Sequence, residues 1–265
     1  MAENRSSLAS KKAEGSPVWV DTHCHLQLAE AEPSESLARA AQAGVDWVVV
    51  PGVDAQSSEA ARRLAETDDR LRWSAGLHPH DATKWADQAD RIADLAGSAD
   101  AVGEIGLDFY RSLSPRGVQI DVLKAQIEIA LTVDKPIIVH CRDAFSSLFE
   151  VLEETEIGPR TVLHCWTAGP RWTKRFRDLG VTFSYAGPLT FPNGDTIRRG
   201  AVEAPPERTV VETDTPLLTP PPFRDEENQP SRVVLVGKTL AEVWGMDIEE
   251  VARLTSTAAV RIFDA

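Results

Sequence analysis

The feature that most constrains this chain is an alternation that begins at Val18 and runs to the end. Short apolar runs are each followed by a longer segment with apolar residues at helical spacing. The strand candidates are Val18–Thr22, Val45–Val50, Leu71–Ala75, Ala101–Ile105, Pro136–Val139, Thr161–Leu163, Val181–Ser184 and Thr209–Val211. Helical patterns fill the gaps, including Ser34–Ala43, Val118–Val133 and Phe145–Glu154, and two more, Ser231–Trp244 and Ile248–Ile262, follow the last strand. Strands separated by helices pair in parallel, because a parallel crossover needs a dozen or more residues. Eight such units fit either an open doubly wound sheet or a closed (β/α)8 TIM barrel. The open sheet wants a glycine-rich phosphate turn after its first strand, where this chain has His23-Cys24-His25. The barrel is the expected α/β fold, and 265 residues suit one barrel domain over residues 18–265.

Composition narrows the function. With 41 Asp and Glu against 28 Lys and Arg, the formal charge is −13, which argues against a long basic surface that coats nucleic acid. Three cysteines without framework spacing fit a reducing, cytoplasmic setting. Residues 1–17 carry no apolar core of a signal peptide and read as a flexible tail. No stretch approaches the roughly 18–20 apolar residues of a membrane span, so no membrane partner is expected.

All six histidines stand at or just past the end of a strand candidate: His23 and His25, His78 and His80, His140, and His164. In a barrel those ends converge on the face where active sites are built. Glu104 and Asp214 sit at the ends of the fourth and eighth strand candidates. Imidazole nitrogens with carboxylate oxygens form a donor set for zinc, manganese or iron rather than calcium. His23 and His25 are spaced i, i+2, so extended backbone aims both at one face while Cys24 points away. The same alternation turns Cys141 and Cys165 toward the helices, as small buried apolar groups.

Along the chain stand Asp21-Thr22-His23-Cys24-His25-Leu26, Gly76-Leu77-His78-Pro79-His80, Gly103-Glu104-Ile105-Gly106-Leu107-Asp108, Gln119 and Gln126, Lys135-Pro136 through His140-Cys141-Arg142-Asp143-Ala144, Leu163-His164-Cys165-Trp166 and Glu212-Thr213-Asp214-Thr215-Pro216. In order and spacing these segments strongly resemble the TatD-type metal-dependent deoxyribonucleases of the amidohydrolase superfamily. The resemblance covers about Val18 to Phe263. It implies two divalent ions (Mg, Mn or Zn), one between His23, His25, Glu104 and Asp214, the other between Glu104, His140 and His164, with Glu104 as the bridge. It implies Asp214 as general base toward the attacking water, His78 as a contact of the substrate phosphate, and 3′–5′ removal of nucleotides from short single-stranded DNA or 3′ ends. His80 and Trp166 are further candidate substrate contacts, and Arg142 and Glu212 are candidates either to contact substrate or to support the metal ligands from behind. For Arg142 and Glu212 a salt bridge bracing the mouth is the alternative. Most tryptophans are scattered as core residues, and Phe109-Tyr110 stands beside the expected mouth. A monomer is expected.

Two departures bear on substrate. Gln27 stands where relatives have an acid, and Phe223-Arg224-Asp225-Glu226-Glu227-Asn228-Gln229-Pro230 replaces a basic stretch with acids in the loop Pro216–Pro230. That loop reads as solvated, leaving the metals, His78, His80 and Arg142 to hold substrate. The same site would serve a small ester, lactone, amide or aminoacyl-nucleotide, or a metal-binding protein without turnover. Two ions would also place about four positive charges at one mouth, so the net acidity predicts a short footprint rather than forbidding an anionic substrate.

Overall fold

Eight parallel strands in sequential order make the sheet of this computed structural model, which describes residues 17–264. They are β1 (Trp19–Asp21), β2 (Val45–Pro51), β3 (Leu71–Ala75), β4 (Ala101–Asp108), β5 (Ile137–Arg142), β6 (Thr161–Leu163), β7 (Thr182–Tyr185) and β8 (Thr209–Val211). The helices are α1 (Pro33–Gln42), α2 (Ala55–Ala65), α3 (Trp85–Ala96), α4 (Arg116–Thr132), α5 (Phe145–Thr155), α6 (Pro170–Asp178), α7 (Asp195–Ala201), α8 (Val233–Trp244) and α9 (Ile248–Phe263). The seam between β8 and β1 is closed by the Thr22 N–H on the Val211 carbonyl (3.1 Å) and the Asp214 N–H on that of His23 (2.9 Å). The result is the (β/α)8 TIM barrel. The tail expected over residues 1–17 lies, apart from Pro17, outside the described residues.

The strands read as continuous apolar runs because helices cover one face and the barrel interior the other; in β2 only Asp46 is exposed. The helices bury single faces. In α4 the buried set is Gln119, Val122, Leu123, Gln126, Ile127 and Ala130, at helical spacing. The far end of the barrel is plugged by α9, whose Ala258, Ala259, Ile262 and Phe263 pack with Val20, Trp47, Val49, Ala101, Ile138, Val162 and Val210. This leaves the opposite end as the open mouth. No helix among the described residues is long and apolar enough to cross a membrane.

Two strands run three residues past their expected ends. β4 continues to Asp108 and β5 to Arg142, with Gly106, Leu107 and Asp108 in register with His140, Cys141 and Arg142. The continuation is carried by backbone pairing and not by apolarity, which is why hydrophobic patterning stops short of it. Gly106, at φ 142°, permits it: a Cβ there would occupy the place of the His140 carbonyl oxygen. Glu104 and His140 therefore lie inside their strands, not at or beyond the ends.

The loop after β8 is fastened rather than simply solvated. The Glu227 carboxylate accepts from the Glu30 and Ala31 N–H groups (2.8 and 3.3 Å), and Glu226 pairs with Arg232. Asn228 donates through its side-chain amide to the Thr213 and Leu217 carbonyls. Two of the three acids of that loop thus serve its own closure.

Candidate metal centre

The chain leaving β1 brings the Nε2 atoms of His23 and His25 to 3.1 Å from each other, while Cys24 between them is buried in the core. Asp214, beyond β8 at φ 59°, brings Oδ1 to 3.8 and 3.7 Å from those two nitrogens. Glu104 reaches both halves of the site with different oxygens. Its Oε2 lies 3.3 and 3.4 Å from the Nε2 atoms of His23 and His25. Its Oε1 lies 3.0 Å from His140 Nδ1, 3.1 Å from His164 Nε2 and 3.3 Å from His78 Nε2. His140 and His164 are themselves 3.2 Å apart through those nitrogens.

The donor set fits divalent metal. Ligand atoms about 2.0–2.2 Å from one ion lie roughly 3–3.5 Å from each other, and most separations here are of that size. The groups His23–His25–Asp214, His23–Glu104–His164 and His78–Glu104–His140 each converge within 4.8 Å. The ring nitrogens turned away from Glu104 are mostly anchored, which fixes ring orientation. His25 Nδ1 lies 3.2 Å from the Pro51 carbonyl, His140 Nε2 3.3 Å from Asp108 Oδ2, and His164 Nδ1 3.0 Å from Glu212 Oε1. His78 Nδ1 accepts from the His80 N–H, whereas His23 Nδ1 is buried without a hydrogen-bond partner among the described residues.

Burial and charge divide the titrations. Burial pushes His23 and His78 down to about 4, so both rings are neutral donors at pH 7. Burial also disfavours charge on His25, His140 and His164, but the carboxylates facing them outweigh it and raise all three. Burial would raise Glu104, yet His164, His78 and the hydrogen bonds from His140 and His164 hold it well below the usual carboxylate range. In Asp214 burial wins over the pull of His164 and His25, and its carboxyl is pushed up to about 6. The thiols of Cys24, Cys141 and Cys165 are pushed up by burial, so none is an activated nucleophile. Cys165 is half-buried at φ 43°, beyond the end of β6, so the strand alternation expected to turn it toward the helices does not extend to it.

Three candidate contacts keep their place at the mouth. His78 lies against Glu104, His80 is 30% exposed with Nε2 2.9 Å from Asp108 Oδ2, and Arg142 is exposed with its guanidinium over the Tyr110 ring. Arg142 makes no salt bridge among the described residues. One candidate is corrected, and one is decided among its readings. Trp166 is 2% exposed, gives its indole N–H to Thr173 and packs against Phe145, Phe176 and Phe183, so it is core and not a substrate contact. Glu212 is fully buried; it holds His164 Nδ1 and accepts from the Cys165 N–H (2.8 Å) and Ser184 hydroxyl (2.5 Å), so it orients a ligand instead of meeting substrate.

Asp108 was not assigned a role from the sequence, yet it joins His80 to His140 and accepts from the Arg111 N–H. Burial would raise its carboxyl, but those hydrogen bonds hold it below the usual range. Its even spacing from Glu104 on one strand was the available signal. Gln119 and Gln126, noted only as matches, clamp backbone from α4: Gln119 accepts from the Asp108 N–H, and Gln126 accepts from the Leu77 N–H and donates to its carbonyl.

Residues 20–264 match the model of a family described as TatD related DNase. The chain is 34% identical over 249 residues to the uncharacterized metal-dependent hydrolase YabD of Bacillus subtilis, covering 92% of this chain and 98% of that protein. It is 33% identical over 245 residues to the protein named 3′–5′ ssDNA/RNA exonuclease TatD of Pectobacterium parmentieri, covering 88% and 94%. Among solved structures, YjjV, a TatD homologue from Escherichia coli K12, aligns with a TM-score of 0.85 at 28% identity, covering 93% and 98% of the two chains. A barrel whose strand ends carry this histidine and carboxylate cluster, matched over nearly its whole length, belongs to the TatD related DNase family of metal-dependent hydrolases.

Proposed function

We propose that this enzyme removes nucleotides from the 3′ ends of single-stranded DNA by hydrolysing phosphodiester bonds, using two divalent ions (Mg, Mn or Zn). The observation that carries the reading is the division of Glu104 between two nests of donors, Oε2 toward His23 and His25, Oε1 toward His140 and His164. Such a divided carboxylate suits two cations held side by side, with His23, His25, Asp214 and Glu104 around one and Glu104, His140 and His164 around the other. When bound, cations there supply positive charge that acidifies a water and offsets the charge of the phosphodiester.

The protein's own groups do the rest. Asp214, pushed up to about 6, sits close enough to neutrality to take a proton from water and return it. As the water oxygen bonds to phosphorus, the P–O bond to the 3′ oxygen of the shortened strand breaks, the phosphate departs with the terminal nucleotide, and the proton held on Asp214 passes to that 3′ oxygen. Glu212 keeps the His164 ring in place. His78, neutral and beside Glu104, stands where a phosphate oxygen would lie, with His80 and Arg142 further out. The named activity of the relatives supports the substrate class. The free cysteines favour a cytoplasmic protein, and we read it as a monomer in which residues 18–265 act as one domain.

The test is metal-stripped protein resupplied with magnesium, manganese or zinc and given 5′-end-labelled single-stranded DNA beside a panel of esters, lactones and amides. The expected result is metal-dependent shortening from the 3′ end. Hydrolysis confined to the acyl panel, or bound metal with no hydrolysis at all, would overturn the proposal.

A further inference from the structure

The loop between β4 and α4 carries an exposed aromatic ring that the fold does not use. Tyr110 is 61% exposed, two residues beyond Asp108 at the mouth. Arg142 lies over one side of the ring, with its guanidinium carbon 4.0 Å from the centroid, and so much exposure leaves the other side open. Arg142 and His140 are spaced i, i+2 on β5, so both point to the same side of the strand, and Arg142 pairs in register with Asp108. The platform therefore stands one step above the donors of the metal centre.

Its setting is rigid. The Phe109 N–H donates to the Arg142 carbonyl (2.9 Å), the Arg111 N–H to Asp108 (2.7 Å), and the Ser114 hydroxyl to the His80 carbonyl (2.8 Å). The loop is thus tied to the two residues that rim the site. The charge around it is positive. Arg111, Arg116 and Arg142 are exposed and make no ion pair among the described residues, although acids outnumber bases 41 to 28 in the chain. Arg116 lies over the Phe109 ring. Among the acids that flank it, Asp108 is engaged with His80 and His140, Asp81 pairs with Lys84, and Asp143 is exposed. The acidic loop after β8 is fastened to the β1 side of the mouth, through Glu30 and Ala31.

We propose that Tyr110, backed by Arg142, is a stacking platform for one base of the single strand next to the scissile phosphate, with Arg111 and Arg116 attracting the flanking backbone. Aromatic faces stack any base, so the platform binds a strand end without reading its sequence. A duplex holds its bases inside the stack and cannot use it. The inference rests on the nucleic-acid reading above and adds the determinant of single-strand preference.

The test is a kinetic scan on single-stranded oligonucleotides with one abasic nucleotide placed in turn at each position near the 3′ end. The wild-type enzyme should show KM raised about tenfold at one position. Tyr110→Ala should show a similar rise on intact DNA, little change in kcat, and no further response to the abasic site at that position. Tyr110→Phe should restore wild-type behaviour. Arg111→Gln and Arg116→Gln should each lessen the slope of log KM against log salt by about one. If wild-type enzyme degrades DNA and Tyr110→Ala leaves KM unchanged, or responds to the abasic scan as wild type does, the platform is overturned and the nuclease reading stands. If wild-type enzyme cleaves no oligonucleotide, both fall together.

Discussion

Replacing Asp214 by asparagine should stabilise the metal-free protein at alkaline pH while destroying turnover in the metal-loaded one. Asp214 has an ordinary value of 3.8 in the unfolded chain and about 6 in the fold, where burial disfavours its charge. Below pH 3.8 the carboxyl is protonated in both states and costs nothing. As pH rises through 6, the folded protein must carry a charge that the unfolded chain carries more easily. At about 1.4 kcal/mol per pH unit, the cost reaches about 3 kcal/mol above pH 6. Asparagine removes that cost and tolerates the positive φ at this position. For a chain of this length the gain corresponds to roughly 5 °C in melting temperature. Calorimetry in chelator at pH 8 and at pH 4 checks it, with the gain expected at pH 8 and absent at pH 4. With metal present the order inverts, because the variant has one fewer ligand to bind the folded state. Turnover should fall by about 10²–10⁴-fold while most metal is kept by His23, His25 and Glu104. A variant less stable than wild type in chelator at pH 8 would refute the burial argument, and wild-type rates would refute the role of Asp214 as base.

Other consequences follow from the same geometry. His25, His140 and His164 are raised in the metal-free site, so incoming metal displaces their protons; affinity should climb with pH near neutrality, and calorimetry in buffers of different ionisation enthalpy should detect proton release. Affinity independent of pH between 6 and 8 would contradict those shifts. Glu212→Gln, which weakens the acceptor holding His164, should lower metal affinity about 10–100-fold in a manganese titration, with unchanged KM for substrate at saturating metal. Trp166→Phe should cost about 1–3 kcal/mol in urea unfolding by leaving a gap among Phe145, Phe176 and Phe183, with KM unaltered. A raised KM in that variant would return Trp166 to the substrate.

Much of the site was legible because its signals are local. His23 and His25 announce themselves by alternation, and the placing of every histidine near a strand end is a statement about order along the chain. Glu104 and Asp214 stood out as acids in otherwise apolar strand ends. Trp166 was misjudged, and Glu212 left open between substrate and support, for one reason: proximity to His164 or Asp214 in sequence says a residue is near the site but not which way it points. β6 ends at Leu163, and the backbone beyond it turns Trp166 into the core. Glu212 turns inward to His164 and Ser184, contacts that span 48 and 28 residues.

What the sequence determined by itself is therefore the list of parts and their order: parallel strands, the end of the barrel that carries chemistry, and donors suited to divalent metal. Periodicity and residue type suffice there, because each depends on neighbours a few positions away. The tertiary structure alone decided the pairings. It divided the Glu104 oxygens between two nests, extended β4 and β5 through polar residues by backbone register, joined Asp108 to His80 and His140, and engaged two acids of the loop after β8 in closing it. Those outcomes depend on distances between residues far apart in the chain, and such distances exist only once the barrel has closed.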